Sequence, residues 1–336
     1  LRYSNLPREA LHSFRTKKLT GARSEKPDGK PDGKRKNRLT LQRHHIVRYL
    51  VIILAYFVTG YAASLLPFFA TSITLIWPPA GISLAALVYW GWRYFPAVYI
   101  GALLFNTVIA QTLGAMVFIA AGITVATVIP ALLISRFAGR YPFARFRDIA
   151  IYFLVGGLLG PALGASFGAF NISLFDIGNF DRFEPLWLGW FKGDLIGVLV
   201  VGPLVLRILN WRIKPAPLTH YAELLFIGLA CVVLASAVQT TPLTARPEFL
   251  FIFVTLPCVI WGTIRYGLLG AVVTNALIAF DIIAFAALGN TTFVGIELQT
   301  GIHNLFGYLI ASSIGALLLA IGLERIANIT MRARDG

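Results

Sequence analysis

Charge is what this sequence has least of. Only 13% of its 336 residues are charged, and 15 Asp and Glu stand against 29 Lys and Arg. A soluble domain carries about 25% charged residues, so this chain cannot cover most of its folded surface with water-compatible side chains. Cysteine is also scarce. Cys231 and Cys258 are the only two, both inside apolar stretches; they read as buried thiols, and no disulfide framework is available. Catalytic signatures are missing as well. There is no glycine-rich phosphate loop, no His-Glu-x-x-His and no Cys-x-x-Cys. No polar stretch is long enough for a catalytic domain, so the chain is expected not to be an enzyme by itself, with no cofactor and no metal. No signal peptide is evident, because the first apolar stretch begins near Ile46 and is long enough to remain as an anchor.

What the sequence does have is apolar length. It is 57% hydrophobic with a positive mean hydropathy, and the bilayer must act as solvent for much of it. Ten apolar segments cover about 46–66, 74–91, 94–110, 114–136, 148–171, 187–208, 221–239, 249–264, 267–288 and 299–323. Most approach the 20 residues that cross roughly 30 Å of hydrocarbon. The expected fold is all-α, a polytopic transmembrane helical bundle of about ten spans.

The positive charge is unevenly placed. Fourteen of the Lys and Arg lie in residues 1–48, opposed by Glu9, Glu25, Asp28 and Asp32. The turn-rich Lys26-Pro27-Asp28-Gly29-Lys30-Pro31-Asp32-Gly33 predicts a disordered basic tail over 1–45. Lys34, Arg35, Lys36, Arg38 and Arg43 are candidates for contact with anionic lipid, and nucleic acid is not the expected partner. With this tail in the cytoplasm, the alternate loops on its side bring the inside total to 26 Lys and Arg. Arg182, Lys192 and Arg246 are the three left outside, and a bias of this size sets orientation. Both termini are therefore expected on the cytoplasmic side of an inner membrane. The outer stretch 173–186, with Asp176, Asp181 and Glu184, is the most acidic loop.

Two features interrupt this regular pattern. Pro78 and Pro79 fall inside the second segment, leaving about a dozen regular residues after them, short for a crossing. Either Trp77-Pro78-Pro79-Ala80-Gly81 walls a cavity, since non-helical backbone at membrane depth must be buried in protein or line wet space, or the prolines form the first turn of an ordinary helix. The second feature is an apparent parallel repeat. Trp90-Gly91-Trp92-Arg93-Tyr94 precedes Gly101-Ala102 and Asn106, much as Trp261-Gly262-Thr263-Ile264-Arg265-Tyr266 precedes Gly270-Ala271 and Asn275. If this is a repeat, spans 1–4 and 7–10 are its copies, with a Trp-Gly ending a span in each.

Polar residues within spans are the candidates for function, because they are costly there. Asp194 stands out, in Trp190-Phe191-Lys192-Gly193-Asp194-Leu195-Ile196-Gly197. It is either a ligand, ion or proton site or a structural carboxylate tied to a neighbouring helix. Its partner is expected from another span, since Lys192, two residues away, faces elsewhere on a helix. Asp281 is a second intramembrane carboxylate that would share a cavity with Asp194 if the two faced each other. Asn106, Asn275, His303 and Asn304 suit interhelical hydrogen bonds, and His303 can also titrate near neutrality. The sensing candidates are thus Asp194, Trp77, Pro78, Pro79, Asn106, Lys192, Asp281 and His303.

In order, Trp77-Pro78-Pro79-Ala80-Gly81, Trp90-Gly91, Gly101 through Asn106, Gly193-Asp194-Leu195-Ile196-Gly197 with Pro203, Trp261-Gly262, Arg265-Tyr266-Gly267 and Leu323-Glu324-Arg325 resemble the bacterial membrane-associated sensor domain of type one, MASE1. The resemblance covers about residues 45–327. It implies an integral membrane input module that precedes histidine kinase, PAS, GGDEF or EAL output domains; the sensor half of hexose-phosphate uptake kinases is similar. The family is commonly described with about eight spans, which would make two of the ten segments re-entrant or short. Leu319, Gly322, Ile326, Ile329 and Ala333 are spaced 3-4-3-4, as in a helical seam that continues past the last span. Glu324, Arg325 and Ile326 are the candidates for passing a signal on, and 328–336 reads as the start of a signalling helix. The domains expected are the tail 1–45, the membrane sensor 46–327 and that helix. The function implied is sensory input; a small-solute or ion transporter or channel is the alternative. Expected partners are membrane lipids, an output domain beyond residue 336 or on a kinase partner, and a second copy of the chain in a homodimer.

Overall fold

A computed structural model describes residues 32–65, 74–109, 112–174, 180–210, 218–240, 250–288 and 298–335. Among these residues there are ten helices and no strand: α1 Asp32–Ser64, α2 Pro78–Trp90, α3 Phe95–Val108, α4 Leu113–Phe137, α5 Phe146–Ile172, α6 183–209, α7 Leu218–Thr240, α8 Leu250–Tyr266, α9 Leu268–Ala287 and α10 Leu298–Asp335. Each falls on one of the ten apolar segments. The chain is a helical membrane bundle, and α1, α4, α5, α7, α9 and α10 are each long and apolar enough to cross a bilayer. The other four depart for visible reasons. With 13, 14 and 17 residues, α2, α3 and α8 reach only about 20–26 Å at 1.5 Å per residue. α6 has the length but carries Glu184, Lys192, Asp194 and Arg207.

The first 46 residues form a unit of their own. Residues 1–31 lie outside the described residues, with most of the Lys-Pro-Asp-Gly repeat. From Asp32 onward the chain is helical, which corrects the expectation of a disordered tail as far as residue 45. After Gly33 the basic run holds no Pro or Gly and is rich in Lys, Arg, Leu and Gln, all good helix formers. A helix already nucleated by an apolar span extends into such a run at little cost.

Within the remainder, α2 is central to the first half. Leu84, Ala85, Leu87 and Val88 are buried, and the helix packs against α4 and α6. It stops at Gly91, whose φ of 109° suits only glycine. The turn that follows is held by α1: the Tyr49 hydroxyl donates to the Arg93 carbonyl at 3.1 Å, and Arg48 donates to the Tyr94 hydroxyl at 3.2 Å. In the second half α9 is central, packed on α7, α8 and α10. The bundle's outer surface is apolar, with Leu54, Leu113, Leu225 and Ile264 each more than 60% exposed, as lipid contact requires.

The apparent repeat does not extend to local structure. Trp90-Gly91 ends α2, but Trp261-Gly262 lies inside α8, and the positive-φ turn there comes at Gly267. Gly262 serves instead as a contact, since a Cβ on it would lie 2.7 Å from Thr274 of α9. Asn106 donates to the Ala102 carbonyl of its own helix, whereas Asn275 donates across to Ser313 of α10.

Candidate functional site

The segment before α2 and the middle of α6 meet through backbone. Leu75 and Ile76 are not helical yet are buried, and polar backbone at that depth must find its partner inside the protein. It does so at α6, where the Trp77 N–H donates to the Gly193 carbonyl at 2.9 Å. Pro78 and Pro79 occupy the first turn of α2, where no donor is needed. The prolines thus begin a regular helix, and of this motif Trp77 and Ala80 line a cavity. Only glycine fits the contact that follows. A Cβ on Gly81 would collide with the Gly197 carbonyl, and one on Gly197 with the Trp77 carbonyl.

α5 and α6 each contain a widened π-helical stretch, Tyr152–Leu159 and Gly197–Val201. Each stretch runs directly into a Gly-Pro pair, Gly160-Pro161 and Gly202-Pro203. Proline has no N–H to give, so in the π register Pro161 leaves the Gly156 carbonyl, five residues back, without a donor, and Pro203 does the same to Val198. The Val198 carbonyl is satisfied from α5, where the Tyr152 hydroxyl donates to it at 2.9 Å. Pro130 lies inside α4 and similarly deprives the Ala126 carbonyl four residues back.

Between α2, α4, α5 and α6 is a cavity of about 30 Å³, enough for one or two water-sized groups. Trp77, Ala126, Thr127, Gly156, Gly164 and Asp194 are among the residues that line it, and Asp194 is the one charged side chain doing so. Asp194 is only 8% exposed, and its Oδ1 is buried with no hydrogen-bond partner among the described residues. The partner expected from another span is therefore not found there. The reason is compositional. Facing Asp194 on α5 is Gly164, and a Cβ built on it would lie 2.8 Å from Oδ2. Bare backbone sits where a partner side chain would stand.

The other sequence candidates are dispersed. Asp281 does not line this cavity; it accepts hydrogen bonds from Ser236 at 2.7 Å and Gln239 at 2.9 Å, both on α7. Lys192 lies over the ring of Phe306 on α10, 5.5 Å from its centroid. Asn106 is bonded within α3. His303 is exposed near the start of α10.

The candidates for signal transmission cluster where α10 passes the ends of other helices. Arg325 lies over the ring of Phe146, the first residue of α5, at 5.3 Å. A Cβ on Gly267, in the turn between α8 and α9, would be 3.6 Å from Oε1 of Glu324. Burial raises the Tyr141 phenol above its ordinary range; nearby Arg207 of α6 opposes this and Glu324 adds to it. Ile326 is 62% exposed. Sequence reasoning missed Thr127, Pro130, Gly156, Pro161 and Gly164. The Gly-Pro pairs inside apolar segments were the signal that points to them.

A model of the MASE1 family matches residues 49–325, nearly the whole chain. No curated protein and no solved structure matches significantly.

Proposed function

This chain belongs to the MASE1 family of membrane-associated sensory input domains, and we propose that its sensing element is the cavity at Asp194. Occupancy of that cavity shifts the packing of α5 and α6, and α10 carries the shift to a cytoplasmic output. The observation that carries this reading is a buried carboxylate with an unpartnered oxygen, facing a glycine across a cavity. Such a group is costly to keep in a bilayer and is retained where something binds it. α5 and α6 are suited to move because each holds a π-helical stretch, a feature frequent at functional sites. A ligand shifts such an equilibrium only if it binds the two packings unequally.

The route outward is supported by contacts at two levels of α10. Lys192 of α6 rests on Phe306, and Arg325 rests on Phe146 of α5. α10 has 38 residues, about 57 Å, well beyond the roughly 30 Å hydrocarbon layer. The charge bias, 26 basic residues on one side against three on the other, supports an inner-membrane location with both ends of the chain in the cytoplasm. The output is a histidine kinase or a cyclic-dinucleotide enzyme, joined after α10 or recruited as a partner.

The test is Asp194→Asn in the intact protein, with output activity followed with and without stimulus. Output fixed at one level, with the protein still folded and inserted, is the expected result. A variant that folds and still responds as the wild type does would remove Asp194 from sensing.

A further inference from the structure

Resting on the reading of the Asp194 cavity as the sensing element, we infer that its ligand is a single dehydrated alkali cation of about sodium size. Several oxygen acceptors belong to residues that line the cavity. Oδ1 of Asp194 has no partner among the described residues. The Ala126 and Gly156 carbonyls, each deprived of an amide donor by Pro130 or Pro161, belong to residues that line the same space. Thr127 lines it too; its hydroxyl hydrogen goes to the Ile123 carbonyl at 2.8 Å, which leaves its oxygen free to accept. Val198 lines the same space, and its freed carbonyl is already taken by the Tyr152 hydroxyl of the neighbouring helix.

Charge and size then narrow the ligand. The cavity has one carboxylate and no cationic side chain in its lining, so one positive charge balances it and a divalent ion would be left with excess charge in a medium of low dielectric. About 30 Å³ has room for a bare ion. Carboxylates and backbone carbonyls are the hard oxygen donors that small cations select, and interrupted membrane helices supply such carbonyls to sodium or protons elsewhere. A proton alone would neutralise Asp194 but leave the freed carbonyls unexplained.

The experiment uses the full chain in lipid nanodiscs. Binding of radiolabelled sodium is measured, and thermal melts are recorded in sodium, potassium, choline and calcium chlorides at equal ionic strength. The wild type is expected to bind about one sodium per chain, with binding falling at least about tenfold in Asp194→Asn. Its melting temperature is expected to be higher in sodium than in choline, and that difference is expected to vanish in Asp194→Asn. Thr127→Val removes one ligand oxygen without touching charge and weakens binding by a smaller factor, which keeps the test informative if Asp194→Asn fails to fold. Identical melts in all four salts, a melt set by pH alone, or a stronger response to calcium than to sodium would each overturn the cation. If sodium does not bind but Asp194→Asn still fixes the output, the ligand class is wrong and the sensing role stands. If sodium binds through Asp194 and the output ignores the substitution, the cation stands and the sensing role fails.

Discussion

Asp194 and Asp281 are two intramembrane carboxylates in the two halves of one bundle, and the protein treats them in opposite ways. Asp281 is held by Ser236 and Gln239 across the α7–α9 interface, so it ties two helices together. Asp194 faces Gly164 across a cavity with Oδ1 unpartnered, although Thr127 and Trp77 line the same space. A charged residue within a span is thus not evidence of function by type alone. Its neighbours decide whether it fastens helices or stays available to a ligand.

The largest way to break this comparison is at the backbone contact that supports the Asp194 side. Gly197→Ala places a methyl against the Trp77 carbonyl. Overpacking against rigid backbone exceeds the usual 1–3 kcal/mol of a core insertion, so a loss of about 4 kcal/mol or failure to insert is expected in denaturant titration. A stability equal to wild type would mean the two backbones do not approach. Next, Asp281→Ala leaves Ser236 and Gln239 without their acceptor and should cost about 1–3 kcal/mol in the same assay while the response to stimulus survives. A lost response with stability intact would make Asp281 a second sensing group and end the contrast. The smallest effect is expected at an exposed pair. Arg265 is bonded in bidentate fashion to Glu223, and Arg265→Gln should leave the denaturation midpoint close to that of the wild type, because a solvent-screened ion pair contributes little.

The helices were legible in the sequence because each span is a long apolar run bounded by charge or by Gly and Pro. Segments 114–136 and 267–288 lie within a residue of α4 and α9. The irregularity at Pro78 and Pro79 was also legible, since proline acts on backbone locally. Side-chain facing was not. A helix that is apolar all round shows no preferred stripe, so nothing in the spacing told that Asp194 faces α5 or that Asp281 faces α7. The role of Trp261-Gly262 was misread for a related reason. Glycine serves both turns and close helix contacts, and the same dipeptide ends α2 but packs inside α8. The start of α1 was misplaced because turn residues that end at Gly33 were extended into a run of good helix formers.

The central claim is that Asp194, and not Asp281, governs signalling. It is tested most directly by measuring output of the intact protein with and without stimulus for Asp194→Asn beside Asp281→Asn, both confirmed as inserted and folded. The account predicts a fixed output for Asp194→Asn and a preserved response for Asp281→Asn. A normal response from Asp194→Asn would contradict it.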